Sequence, residues 1–129
     1  MQIFEKTITV VKSDLDQLNH VNNVRYVQWV QDIAEAHWTQ NANINIINKY
    51  YWVLVKHTID YKGQALLDDI LKLKTYVLKS EGVTSVRIVE IYNASTDKLI
   101  VKSETKWCFM DIATHRPTRI TEEVGTLFN

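Results

Sequence analysis

The chain has 129 residues, with fifteen basic and fifteen acidic side chains that cancel when histidine is neutral, and 46% of its residues are hydrophobic. That length suits a single domain (residues 1–129) able to bury roughly two-thirds of its unfolded surface without help from a metal or a disulfide. The charge balance gives no global field favouring nucleic acid or an anionic membrane, so an anionic ligand must be held by local charge. The single cysteine, Cys108, excludes an internal disulfide and a multi-cysteine metal cluster. It fits a reducing compartment, and the cytoplasm is the expected location. The N-terminus MQIFEKTITVV lacks the pattern of a signal peptide. No apolar run approaches the roughly 20 residues needed to span a bilayer.

Residues 2–12 are β-branched and partly alternating, which predicts a first strand. Residues 13–23 form a polar loop holding Asp14, Asp16, His20 and three asparagines. Residues 24–39 then read as a helix. At 100° per residue Arg25, Gln28, Gln31, Asp32, Glu35 and Thr39 share an arc of about 120°, while apolar residues fill about 200°. A surface helix needs an apolar stripe of only about 100°. The excess predicts a helix covered on two or three sides, as by a curved sheet. Asn22 or Asn23 can cap it.

Residues 40–48, rich in asparagine, read as a loop or short turn. Strand patterns follow at residues 51–61, 70–79, 84–93 and 99–110, with connections at 63–69, 80–82 and 93–98. The tail THRPTRITEE, which holds the only proline, Pro117, reads as polar. The order β-α-β-β-β-β predicts an antiparallel sheet with one face covered by the helix, an α+β class. Its edges must be exposed or paired, and so apolar a sheet points to a dimer formed by edge pairing.

The chemistry concentrates where the polar loop meets the helix. Asp16 is the candidate general base or nucleophile. It would stand beside a helix N-terminus whose dipole and unpaired amides stabilise negative charge, including an oxyanion forming on a substrate carbonyl. Its structural alternative is capping. Asp14 competes for the role but, at a strand end, is expected to be solvated. His20, four residues after Asp16, could converge on it across a tight turn and relay protons. Asn22 and Asn23 are capping candidates, and the Asn23 amide would face an incoming carbonyl. His37 falls in the apolar arc and reads as a satisfied core residue, whereas His57 and His115 have no evident partner. No histidine pair has zinc spacing. Cys108 reads as structural. With three glycines there is no phosphate-binding glycine loop, and no serine sits in a nucleophile elbow.

The segment DLDQLNHVNNVRYVQWV resembles the signature of hotdog-fold thioesterases, the 4-hydroxybenzoyl-CoA thioesterase-like family, and more closely the aspartate-asparagine-histidine segment of acyl-ACP thioesterases. HTIDYKGQALLDDILKLKTYV and HRPTRITEE are similar to later parts of that family. The resemblance implies the hotdog fold, a curved antiparallel sheet wrapped around one long central helix. It also implies hydrolysis of an acyl-CoA or acyl-ACP thioester with no cofactor. Asp16 matches the family's catalytic aspartate, ten residues before the matching Tyr26. Asn23 falls where a helix-terminal amide polarises the thioester carbonyl, and His20 matches the histidine of the acyl-ACP branch. Two positions depart from that branch. Leu18 stands where an asparagine is usual, with Asn19 one place on, and Gln64 replaces a glutamate. A glutamine cannot act as a base, which favours a simpler scheme centred on Asp16.

The acyl group would occupy an apolar slot between the helix and a partner subunit of a homodimer or homotetramer. Lys62 and Arg87 are candidates for holding pantetheine phosphates, although strand charges usually mark a solvated face. Asn22, Tyr26 and Gln64 complete the candidate substrate-binding set. A non-catalytic acyl-CoA-binding hotdog protein, a ligand sensor or assembly partner, is the alternative from another class. A hotdog hydratase would need an aspartate-asparagine-proline-histidine motif, which is absent.

Overall fold

A computed structural model describes all residues, 1–129. Six strands form one antiparallel sheet: β1 (Phe4–Thr9), β2 (Tyr50–Tyr61), β3 (Ile70–Glu81), β4 (Thr84–Asn93), β5 (Leu99–Asp111) and a short β6 (Arg116–Pro117). The spatial order is β1-β3-β4-β5-β2, with β6 on β5. Three helices accompany them: α1 (Asn23–Asn41), α2 (Ile44–Lys49) and α3 (Glu122–Gly125). No helix is long and apolar enough to cross a membrane.

The alternation seen in the sequence sets the faces of the sheet. On β3, Leu71, Leu73 and Thr75 are buried while Lys72 and Lys74 are only half-buried. On β5, Val101, Ser103 and Thr105 point inward and Lys102, Glu104 and Lys106 are exposed. Register shifts at Leu54/Lys56, Val77/Lys79 and Ile91/Tyr92 interrupt three of the ladders. Such irregularities bend strands and increase local twist, which curls the sheet. Gly82, with φ of 62°, makes the tight β3–β4 turn.

The main core joins α1 to the sheet. Tyr26, Trp29, Val30 and Ile33 pack with Leu71, Leu73, Val89, Ile91 and Val101. The buried residues of α1 (Tyr26, Trp29, Val30, Ile33, Ala34 and His37) occupy about 140° of the helical wheel. The sheet therefore covers one stripe of the wide apolar arc within a single chain. Val24 is exposed, and Val27 and Trp38 are half-buried on a neighbouring flank.

Three segments differ from the sequence expectation. The first strand is shorter, because Lys12–Asp14 tightens into a 3-10 turn. The asparagine-rich segment contains α2, capped by the Asn43 side chain on the Ile46 amide, because Ile46 is buried against Phe109 and Val124. The tail is not merely polar. Thr121 caps α3, and Val124 and Phe128, four residues apart, are buried.

Candidate active site

The polar loop closes on the carboxylate of Asp16. Leu15 and Val21 form a β-bridge at its base. The Asp16 amide donates to the His20 carbonyl at 2.7 Å, and the Asn19 amide to the Asp16 carbonyl at 3.2 Å. Asp16 Oδ1 accepts from the amides of Leu18 at 2.8 Å and His20 at 3.1 Å. This turn needs a left-handed residue, and Asn19 supplies it at φ 62°. An asparagine one place later than in the look-alike family thus has a local geometric role. Asp16 Oδ2 has no protein partner and the residue is half-buried. His20 meets Asp16 through its backbone; its half-buried ring makes no hydrogen bond to the protein.

The helix start lies next in the chain. Asn22 is the N-cap, and its side-chain oxygen accepts from the Val24 amide at 3.0 Å. Its carbonyl accepts from the Arg25 amide at 2.8 Å. The Asn23 amide, at the first helical position, has no intrahelical acceptor and no other protein partner. The Asn22 amide donates to the Asp14 carbonyl at 2.9 Å, which ties the helix start to the loop.

Asp14 is not solvated, contrary to the sequence expectation. It is 4% exposed. Its carboxylate accepts from the Val11 amide and from Arg25 Nε, both at 2.9 Å. The 3-10 turn directs the side chain inward, and Arg25, in the first turn of α1, supplies the opposing charge. Asp14 is thereby committed to holding strand, loop and helix together.

Tyr26 pins a third segment. Its hydroxyl accepts from the Ala65 amide at 3.0 Å, while the Ala65 carbonyl accepts from the Val21 amide at 3.2 Å. Burial pushes the Tyr26 phenol up, partly offset by that amide. The neighbouring Gln64 and Lys62 are exposed on this connection. The structure thus ties residues 14–26 to the segment around Gln64 through named hydrogen bonds.

Arg87 lies elsewhere and is not on a solvated face. It is 6% exposed. Its Nη1 donates to His37 Nδ1 at 2.9 Å and Thr75 Oγ1 at 3.0 Å. His37 lies 14 residues beyond Asn23, about 21 Å along a helix axis at 1.5 Å per residue. Burial, followed by the charge of Arg87, lowers the His37 pKa to about 4. The ring is therefore neutral near pH 7, with Nδ1 accepting from Arg87 and Nε2 donating to Gln2 Oε1 at 2.7 Å. Burial lowers the Arg87 pKa to about 10, so the guanidinium stays charged. This cluster joins residues 50 positions apart, and no spacing in the sequence signals it.

Arg87 lines a cavity of about 340 Å³ together with Trp38, Trp52, Val77, Trp107 and Phe128. The α1 contribution, from Gln31 to Trp38, continues the flank on which Val24 and Val27 are incompletely covered. The other histidines do have partners: His57 Nε2 with Ser103 Oγ at 2.8 Å, and exposed His115 Nδ1 with the Tyr51 hydroxyl at 3.2 Å. Cys108 is half-buried, with only a long sulfur contact to the Phe109 carbonyl. No cluster of three or more His, Cys, Asp or Glu side chains converges anywhere in the chain.

Residues 10–128 match the sequence profile of the thioesterase-like superfamily. The chain belongs to the thioesterase-like superfamily. No curated protein sequence matches it. Solved structures of this thioesterase type share the fold of the superfamily member described here. A 1,4-dihydroxy-2-naphthoyl-CoA thioesterase from Synechocystis is 18% identical, with a TM-score of 0.84 over 98% of this chain and 95% of that one. A probable thioesterase from Escherichia coli is 19% identical, with a TM-score of 0.85 over 93% and 92% of the respective chains. A Staphylococcus aureus protein in complex with CoA is 17% identical, with a TM-score of 0.85 over 98% and 81%. The hotdog resemblance read from DLDQLNHVNNVRYVQWV is thus supported over nearly the whole chain.

Proposed function

We propose that this superfamily member hydrolyses an acyl-CoA or acyl-ACP thioester to the free acid and the thiol. The observation that carries the reading is the pairing of two unsatisfied groups on hydrogen-bonded neighbouring segments. One is Asp16 Oδ2; the other is the Asn23 amide at the positive end of a 19-residue helix. The thioester carbonyl would accept from that amide, which stabilises the oxyanion as the carbonyl becomes tetrahedral. Asp16 would attack the carbonyl to give an anhydride that water then opens, or would take a proton from an attacking water. The departing thiolate takes up a proton, which the unbonded ring of His20 would supply from the same loop. Loss of an oxyanion donor typically costs about 2.7–4 kcal/mol of barrier, so the helix terminus matters as much as the carboxylate.

Asn22 caps the helix, and Tyr26 holds the connection carrying Gln64, which would border the thioester. Exposed Lys62 on that connection would meet the phosphates of CoA. Arg87, enclosed in an apolar cavity, is set apart from that role. The CoA complex of one structural neighbour and the CoA-thioester substrate of another favour CoA over ACP. The incompletely covered flank of α1 from Val24 to Trp38 would guide the acyl group, with a second copy of the chain closing it. A reducing cytoplasm suits the free Cys108.

Thiol release from a panel of aliphatic and aromatic acyl-CoAs, by wild type and Asp16→Ala, tests the reading. Turnover by wild type and its loss in the variant are expected. Tight acyl-CoA binding with no turnover of any thioester would instead establish the non-catalytic reading.

A further inference from the structure

Arg87 is a buried cation with no anion. The three ion pairs of the protein involve Arg25, Lys72 and Lys74, not Arg87. The groups that hold it are neutral: His37 Nδ1, Thr75 Oγ1 and the ring face of Phe128, 5.3 Å from the guanidinium carbon. Both hydrogens of Nη1 are spent on His37 and Thr75. The Nε and Nη2 edge, which forms the side-on fork of a guanidinium, makes no hydrogen bond to the protein. Every fully buried side-chain nitrogen or oxygen has a partner, so the unbonded Nε and Nη2 keep some exposure, and Arg87 lines this cavity. An isolated buried charge costs several kcal/mol unless something compensates it. Glu35, the one carboxylate on the cavity wall, is exposed and makes no ion pair with Arg87.

We propose that this cavity binds an organic carboxylate with an apolar body, its head taken by the Nε/Nη2 fork of Arg87 and its body lying among Trp38, Trp52 and Trp107. The fork fits a carboxylate with two parallel hydrogen bonds, and Arg87 is already oriented by His37 and Thr75. At about 340 Å³ the cavity has the size of a small-molecule site, and seven of its eleven wall residues are hydrophobic. A multiply charged phosphate would find one cation and mostly apolar walls. Asp16 is not among the wall residues, although Gln31 and Trp38 also belong to the α1 flank proposed to guide the acyl group. The acid-against-amide preference is read without thioester turnover, so it can fail while hydrolysis stands.

Calorimetric titration of the intact protein with decanoate and 4-phenylbutanoate, each against its neutral primary amide, tests the proposal. The carboxylates are expected to bind roughly 10- to 100-fold more tightly than the amides, with tryptophan fluorescence changing on binding. Arg87→Gln should abolish that preference while retaining weak binding of the apolar body. If Arg87→Gln does not fold, the wild-type comparison decides alone. Equal affinity for acid and amide, absence of binding at millimolar ligand, or a preference that survives Arg87→Gln would overturn it.

Discussion

Two aspartates two residues apart have different tasks, and their hydrogen bonds tell them apart. Asp14 spends its carboxylate on the Val11 amide and Arg25 Nε and is almost wholly buried. Asp16 uses one oxygen to shape its own loop and leaves the other free. Asp14→Ala would strand a part-buried amide and one arm of Arg25. It should lower stability by about 1–3 kcal/mol in urea unfolding with little change in the slope. An unchanged midpoint would show that Asp14 is not the tie described. At this scale the sequence expected Asp14, at a strand end, to be solvated, and its burial overturns that expectation. Polarity marks both aspartates alike, and only the inward 3-10 turn separates them.

Among the elements, α1 carries most of the consequences. Its existence and capping were legible, because Asn22 precedes a clean 3.6-residue pattern and the cap forms as expected. Its link to β4 was not, since His37 and Arg87 meet only after the sheet is assembled. That link predicts a pH dependence. His37 is depressed from 6.5 to about 4 in the folded chain. As pH falls below 6.5 the unfolded chain takes up a proton that the folded chain refuses. The stabilisation is therefore complete above pH 6.5 and is lost progressively toward pH 4. The upper bound of the loss is roughly 3 kcal/mol. Unfolding midpoints measured from pH 8 to pH 4 should fall through this window, and His37→Gln should flatten that component. Residues 124–129, beyond the stretch read as a polar tail, are a related case: Val124 clusters with Ala42, Ile46 and Phe109, and Phe128 packs edge-on against His37, partners that only the assembled fold supplies.

For the molecule as a whole, the sheet and its strand sequence were predictable from alternation and turn residues, whereas the curl depends on register shifts that alternation does not reveal. One end of the sheet is β2, hydrogen-bonded only to β5, with Val53 43% and Val55 58% exposed. A free edge of this kind favours pairing with a second copy. Light scattering after size exclusion should give at least twice the 15.1 kDa chain mass. Replacing Val53 and Val55 with lysine should return the protein to that mass. A wild-type protein that runs as a single chain at micromolar concentration would remove β2 as an assembly edge and leave the α1 flank uncovered.

The most direct test of the account is thiol release from acyl-CoA by wild type and Asp16→Asn, with thermal unfolding followed in parallel. Asparagine keeps a side-chain oxygen for the Leu18 and His20 amides, so the loop and the unfolding temperature should be preserved. It cannot act as carboxylate nucleophile or base. The account predicts a fall in kcat of about 100-fold or more in a protein that is otherwise intact. Equal kcat for wild type and Asp16→Asn would contradict it.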